Sequence, residues 1–340
     1  MGSFYEPRER KKESKQPGRA APEAFCVVGH SDPGCERESN EDRFLLVSSE
    51  DMAGYFVFDG MGGQPAGEAA AQISAEVIQR ALGDYEGDDL KLLMNHVICL
   101  AQDEILSRRD DPATEGMGTT VVGVLMRHDE LVVGAVGDSR AYHVKRGSVT
   151  QMTCDHTLVQ QLVDAGQLSP HDALVHPQSH ILTRCLGSSL DFAVDVKRYQ
   201  LVAKVQQDAP EEWLLLCSDG LYSLVSDEEM ATLVLNFSPK EAAQKLIALA
   251  RSRGGFDNIT AVVIPLSARL VEQPYTGVLE VDAWIPPALP EEVKNHSAFR
   301  EISGGLFQGA DIKRVIGMVA LASALAVLAV IVWFLVFTVK

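Results

Sequence analysis

The chain has 340 residues, 46% of them apolar, with 30 Lys and Arg against 47 Asp and Glu and a formal net charge of −17. That is ample material for a buried core, and a surface this acidic repels phosphate backbones, which excludes nucleic acid as the partner. Cys26, Cys35, Cys99, Cys154, Cys185 and Cys217 contain no C-x-x-C pair, so a disulfide framework or zinc ribbon is excluded too, and a reducing compartment is expected.

Residues 1–22 carry six basic and three acidic side chains and almost no apolar ones, and are expected to be a disordered basic arm. Met1-Gly2 is followed by Glu6 where a myristoylation signal needs Ser or Thr, and the arm lacks the apolar stretch of a signal peptide. One continuous globular pattern follows, and a domain over 23–267 is expected. Short apolar runs predict strands at Cys26–Val28, Phe44–Val47, Tyr55–Phe58, Thr119–Leu125, Leu131–Val136 and Trp213–Cys217. Helical spacing predicts helices at Ala66–Leu82, Leu90–Ser107, Leu158–Ala165 and Pro239–Ser252. Strands come in neighbouring groups, helices in pairs, and regular β-α-β alternation is absent. That order predicts an α+β fold with antiparallel sheets covered by helices.

Residues 268–314, with Ile285-Pro286-Pro287, read as a linker. From Val315 to Val339 there are 25 residues without a formal charge. A helix of that length spans roughly 38 Å, which predicts a transmembrane helix. Trp333 and Phe337 suit an interfacial anchor, and Lys313 and Arg314 precede the segment while only Lys340 follows it. The expectation is a single-pass inner-membrane protein whose long N-terminal part is cytoplasmic.

Several aspartates sit where apolar strands end, beside Gly or Asn: Asp42, Asp59 before Gly60, Asp138, Asp219 before Gly220, and Asp257 before Asn258. A strand that ends in Asp-Gly sets a carboxylate at a sheet edge, and Gly lets the backbone turn sharply or approach an ion. Each instance alone is a weak signal that reads more readily as a turn. Together, hard oxygen ligands without a His/Cys set point to Mg²⁺ or Mn²⁺. Two such ions would hold a bridging water as hydroxide and clamp the oxygens of an in-line displacement. Arg37 reads either as a surface cation or as the ligand of a phosphate dianion.

The same residues fall in ordered motifs: Gly34-x-x-Arg37-x-x-Asn40-x-Asp42, Phe58-Asp59-Gly60-Met61-Gly62-Gly63 with Gly67-Glu68, and Gly116-Met117-Gly118-Thr119-Thr120. Val136-Gly137-Asp138-Ser139-Arg140, Leu182-Thr183-Arg184-x-Leu186-Gly187, Cys217-Ser218-Asp219-Gly220-Leu221 and Asp257-Asn258-Ile259-Thr260 follow. From about residue 25 to 265 the chain resembles bacterial PP2C-type metal-dependent protein serine/threonine phosphatases. The resemblance implies a β-sandwich of two antiparallel sheets flanked by helices, with metals at one end. It implies Asp42 and Asp59 on one ion, and Asp59, the Gly60 carbonyl, Asp219 and Asp257 on the other. Asp138 with Asp219 would hold a weaker third ion, and Arg37 would bind the substrate phosphate. Residues 155–186 correspond to a variable flap. The implied partners are phosphorylated Ser/Thr proteins, with a cognate Ser/Thr kinase.

One departure concerns the proton for the leaving serine oxygen. Relatives carry a histidine where this chain has Met61 or Gln64, and glutamine has no proton to give at neutral pH. Either a metal-bound water supplies it or another histidine such as His156 reaches in, although His156 also reads as a turn residue opening a helix. Two rival functions stay open: a catalytically silent docking or sensing module, and a hydrolase of small phosphate esters.

Overall fold

The computed structural model describes residues 26–272 except 64, 109–115, 174–175, 189–191 and 204–209. The first half runs β1 (Val28–Asp32), β2 (Arg43–Ser48), β3 (Ala53–Phe58), β4 (Gly60–Met61), α1 (Ala66–Gly83), α2 (Leu90–Ser107), β5 (Gly118–Thr119), β6 (Val121–Arg127) and β7 (Glu130–Val136). Next come β8 (Arg140–Lys145), β9 (Ser148–Gln151), α3 (Leu158–Asp164), α4 (Pro170–Ala173) and β10 (Asp195–Ala203). The last part holds β11 (Glu212–Cys217), α5 (Asp219–Tyr222), α6 (Asp227–Asn236), α7 (Pro239–Ser252), β12 (Ile259–Leu266) and β13 (Ala268–Glu272). Every ladder is antiparallel, in a sheet ordered β1-β12-β11-β8-β9, a second ordered β13-β10-β7-β6-β3-β2, and the small pair β4-β5.

Alternation along apolar strands makes the layers, because successive side chains leave a strand on opposite faces. On β3, Phe56 and Phe58 join the helix-facing cluster with Ile78 of α1 and Leu93, Val97 and Ile98 of α2. Tyr55 and Val57 point the other way, into a cluster with Leu214, Leu216, Val262 and Ile264 of the facing sheet. On β11, Trp213, Leu215 and Cys217 pack instead against α6 and α7, with Met230, Leu246 and Ile247. The result is helices, two sheets and helices again, the α+β sandwich that the resemblance implies.

The helices begin where the chemistry allows. Asp89 caps α2 by accepting from the Lys91 and Leu92 amides, and buried residues then recur as Leu90, Leu93, Met94, Val97, Ile98 and Ala101. Ser238 and Glu241 form a capping box at α7, with Pro239 at its first turn. Truncating the fully buried Leu93 to Ala would cost about 2–5 kcal/mol.

The structure adds strands that apolar runs do not mark. The first strand is Val28–Asp32, not Cys26–Val28; its five residues are all half-buried, since it lies at a sheet edge. β13 occupies the start of the stretch read as a linker, pairing with β10 from Tyr199 opposite Glu272 to Ala203 opposite Ala268. The strand expected over 119–125 is split at Thr120, whose amide donates to the Asp59 carbonyl instead of extending a ladder. Among the described residues no helix is long and apolar enough to cross a membrane. The arm 1–22, most of the linker and the segment 315–339 lie outside the described residues.

Candidate metal centre

Strand register gathers the aspartates. Arg43 pairs with Phe58, so Asp42 and Asp59 flank one end of the second sheet. Val121 pairs with Val136 at that same end, and Asp138 follows one residue past Gly137. In the facing sheet Cys217 lies opposite both Arg140 and Ala261, which sets Asp219 and Asp257 beyond the matching end. Gly60 pairs with Thr119 in the small sheet next to this point.

Hydroxyls stitch the two sheets together there. Ser218 Oγ donates to Asp42 Oδ2 at 2.7 Å, and the Thr260 amide donates to Ser218 Oγ at 3.0 Å. Thr120 Oγ1 accepts from the Asp59 amide at 3.2 Å and lies 2.7 Å from Ser139 Oγ. Gly220 has no room for a side chain, since a Cβ would overlap the Asn258 carbonyl oxygen, and this contact holds the Asp219 turn against the Asp257 turn.

Asp138 is presented by a turn that needs glycine, because Gly137 has φ +108°. His156 clasps that turn on both sides. Its Nδ1 accepts from the Gly137 amide at 3.0 Å, and its own amide donates to the Gly137 carbonyl at 2.9 Å. With Nδ1 an acceptor, Nε2 carries the proton, 3.2 Å from Asp195 Oδ2 but outside hydrogen-bond alignment. His156 is 3% exposed and does not reach in toward the leaving group; it is a turn residue, set immediately before the α3 cap Thr157. Gln64 lies outside the described residues, and Met61 pairs with Gly118 in the small sheet.

Electrostatics mark the cluster as unbalanced. Burial pushes Asp42 up to about 7 and Asp138 up to about 8, from an ordinary 3.8, with neighbouring Asp219 adding to both shifts. Burial likewise raises Asp59 well above the usual range, reinforced by Asp42, Asp219 and Asp138. Asp219 is raised by burial and by neighbouring Asp257. Asp42 Oδ1 is buried with no hydrogen-bond partner. Among the described residues no Lys or Arg pairs with Asp42 or Asp59, and as arranged no three His, Cys, Asp or Glu side chains close into a ready ligand shell. Like charges in a low dielectric stand apart, and a divalent cation would reverse that repulsion. The donor set of buried carboxylates and one orphaned oxygen therefore fits a hard cation.

Asp257 is at the rim. Its Oδ2 accepts from Arg37 Nη2 at 2.8 Å, and its Oδ1 from the Asn258 amide at 2.8 Å. The Arg37 side chain is 54% exposed, and this bond to Asp257 raises its pKa further. Arg37, Asp42, Asp59, Gly60, Asp138, Asp219 and Asp257 are thus all at one end of the sandwich. Sequence reasoning missed Ser218, which joins the sheets. It also missed a cavity of about 800 Å³ lined by Asp138, Asp219, Tyr222 and the flap residue His180. A serine between a strand and a helix and a tyrosine at the end of a short helix carry no distinguishing local signal, so only the fold reveals them.

An antiparallel sandwich with buried carboxylates converging at one end is the layout of a metal-dependent hydrolase, and comparison with known proteins narrows the class. The family model for Protein phosphatase 2C matches residues 32–162. The Listeria innocua serine/threonine phosphatase stp is 33% identical over 241 residues, covering 69% of this chain and 93% of that one. The Mycobacterium tuberculosis serine/threonine protein phosphatase PstP is 34% identical over 237 residues, 69% of this chain, and the match spans 44% of the PstP length. A crystal structure of the PstP catalytic domain in complex with 2 manganese ions superposes with a TM-score of 0.60 at 32% identity, covering 73% of this chain and 98% of that one. The chain belongs to the protein phosphatase 2C family.

Proposed function

We propose that this chain removes phosphate from phosphoserine and phosphothreonine of proteins, as a metal-dependent phosphatase. The observation that carries the reading is the gathering of Asp42 and Asp138, both buried, with the half-buried Asp59 and Asp219, all four with raised pKa values, at one end of the sandwich. Manganese in the PstP structure supports Mn²⁺, and the oxygen donors suit Mg²⁺ equally. Asp42 with Asp59 would hold one ion and Asp59, the Gly60 carbonyl, Asp219 and Asp257 the second, while Asp138 with Asp219 would hold a weaker third. When bound, such ions lower the pKa of water and stabilise charge on a phosphoryl group in flight.

The chain's own residues do the rest. Arg37 meets the phosphate dianion at the rim through its planar fork. Ser218 Oγ and the Thr260 amide hold Asp42 in place. Among the described residues, the two candidate nucleophiles that end β11 are not available: Cys217 is fully buried with its thiol pushed up by burial, and the Ser218 hydroxyl is committed to Asp42. Direct attack by water, without a covalent intermediate, is the consistent route. Mn²⁺-dependent release of phosphate from a phosphoserine protein by the full chain tests this, with Asp219→Asn as control. Equal release by the control would reject it.

Residues 315–339 support a further part of the reading, a single-pass tether to the inner membrane with the domain in the cytoplasm. Substrates and a partner kinase near the membrane would follow. The full chain should then sediment with membranes and resist carbonate washing; recovery in the soluble fraction rejects the tether.

A further inference from the structure

The cavity of about 800 Å³ runs from Asp138 and Asp219 out between the flap helices and the first turn of α6. Asp227, Glu228 and Glu229 of that turn line its wall. Two arginines also line it, and both are neutralised inside the protein. Arg140 Nη2 lies 2.6 Å from Asp155 Oδ2, and its guanidinium carbon is 3.6 Å from the centroid of the Tyr222 ring. Arg253 Nη2 lies 2.6 Å from Glu229 Oε1. Among the described residues Asp227 and Glu228 have no ion pair, so the wall keeps a net negative sign. Acids in a first helical turn complement the helix dipole, which accounts for their place on α6. It does not account for the cavity, nor for Asp138 at its inner end. Asp138 is 5% exposed and carries no hydrogen bond from any other described residue.

We propose that this cavity is a subsite for a Lys or Arg side chain of the phosphoprotein, a few residues from the phosphorylated Ser or Thr. The proposal rests on the phosphatase reading and adds a substrate class to it. An extended peptide advances roughly 3.3 Å per residue, so a chain whose phosphate lies over the carboxylate cluster carries its neighbours along the cavity wall. Val159, Val163 and Leu224 offer apolar surface to the aliphatic stem, while Asp227 and Glu228 meet the charged head. An acidic neighbour meets like charge in the same place.

The test compares phosphopeptides identical except for Lys, Ala or Glu at flanking positions, hydrolysed by the full chain with Mn²⁺, alongside p-nitrophenyl phosphate. Lys over Glu should be favoured roughly tenfold in kcat/KM at low salt, mainly through KM, and less at high salt. The double variant Asp227→Asn/Glu228→Gln should shrink that preference to about twofold or less and leave p-nitrophenyl phosphate turnover unchanged. Equal kcat/KM for all flanks, or a preference that survives the double variant, overturns the subsite alone. Failure to hydrolyse any substrate, p-nitrophenyl phosphate included, overturns the phosphatase reading and the subsite with it.

Discussion

Arg37 Nη2 donates to Asp257 Oδ2 at 2.8 Å, so the phosphate-binding candidate is bonded to a candidate metal ligand. Both side chains are partly exposed, at 54% and 38%, so solvent screens the pair and the bond is exchangeable. A cation held by Asp257 would compete with Arg37 for that carboxylate and would leave the guanidinium free for substrate. Arg37→Ala should therefore tighten Mn²⁺ binding by roughly twofold to fivefold while lowering kcat/KM for phosphate esters. Titration calorimetry on the two proteins checks the first half, and unchanged or weaker Mn²⁺ affinity contradicts the competition.

The raised carboxylates give the metal-free chain a definite pH dependence. Asp42 and Asp138 titrate at about 7 and about 8 in the fold, against 3.8 in the unfolded chain. The unfolded state loses these protons first, so stability is fully present below pH 4 and declines as pH climbs through 7 and 8. Melting of the metal-free chain should drop between pH 6 and pH 8.5, by on the order of 2–4 kcal/mol, and Mn²⁺ should restore more at the higher pH. Asp42→Asn should flatten this profile and stabilise the metal-free chain at pH 8.5 by about 1–3 kcal/mol, while weakening Mn²⁺ binding. A flat wild-type profile would show that the carboxylates are not buried together.

Gly220 allows the turns of Asp219 and Asp257 to touch. Gly220→Ala forces a methyl into the Asn258 carbonyl, which is backbone and yields little. The expected cost is about 1–3 kcal/mol of stability in urea denaturation, with weaker Mn²⁺ binding as the two carboxylates separate. Wild-type metal affinity in a destabilised variant would show that the turn matters to packing alone.

His156 and Gln64 make opposite predictions about leaving-group protonation. His156→Ala leaves the Gly137 amide without its acceptor and should cost about 1–3 kcal/mol, with the ratio of aryl phosphate to phosphoserine turnover unchanged. Gln64→His supplies a proton donor where the chain has an amide that cannot give one at neutral pH. It should raise phosphoserine turnover more than aryl phosphate turnover, toward the gain of about 10²–10⁴-fold that general acid catalysis gives poor leaving groups. Parallel responses of the two substrates to Gln64→His would refute the leaving-group argument.

Local chemistry made part of this protein legible. Helices α2 and α7 are readable from spacing and caps, because burial of one face every three to four residues and a capping Asp or Ser act within a few residues. Asp59 and Asp219 stand out because each ends a strongly apolar strand beside glycine. The edge strand β1 and the sheet-bound β13 were not legible, since their order comes from pairing with β12 and β10, which lie far away in the chain or were themselves unmarked.

By itself the sequence determined which residue types can seat a hard cation, where the apolar strands run, and that the chain's chemistry is that of oxygen ligands. Only the tertiary structure decided that His156 clasps the Gly137 turn, that Arg37 is bonded to Asp257, and that a cavity with an acidic wall opens beside Asp138. The reason is physical. A side chain's partner across 220 residues, as Arg37 finds Asp257, is set by sheet register and by the repulsion and hydrogen bonding of groups that meet only after folding.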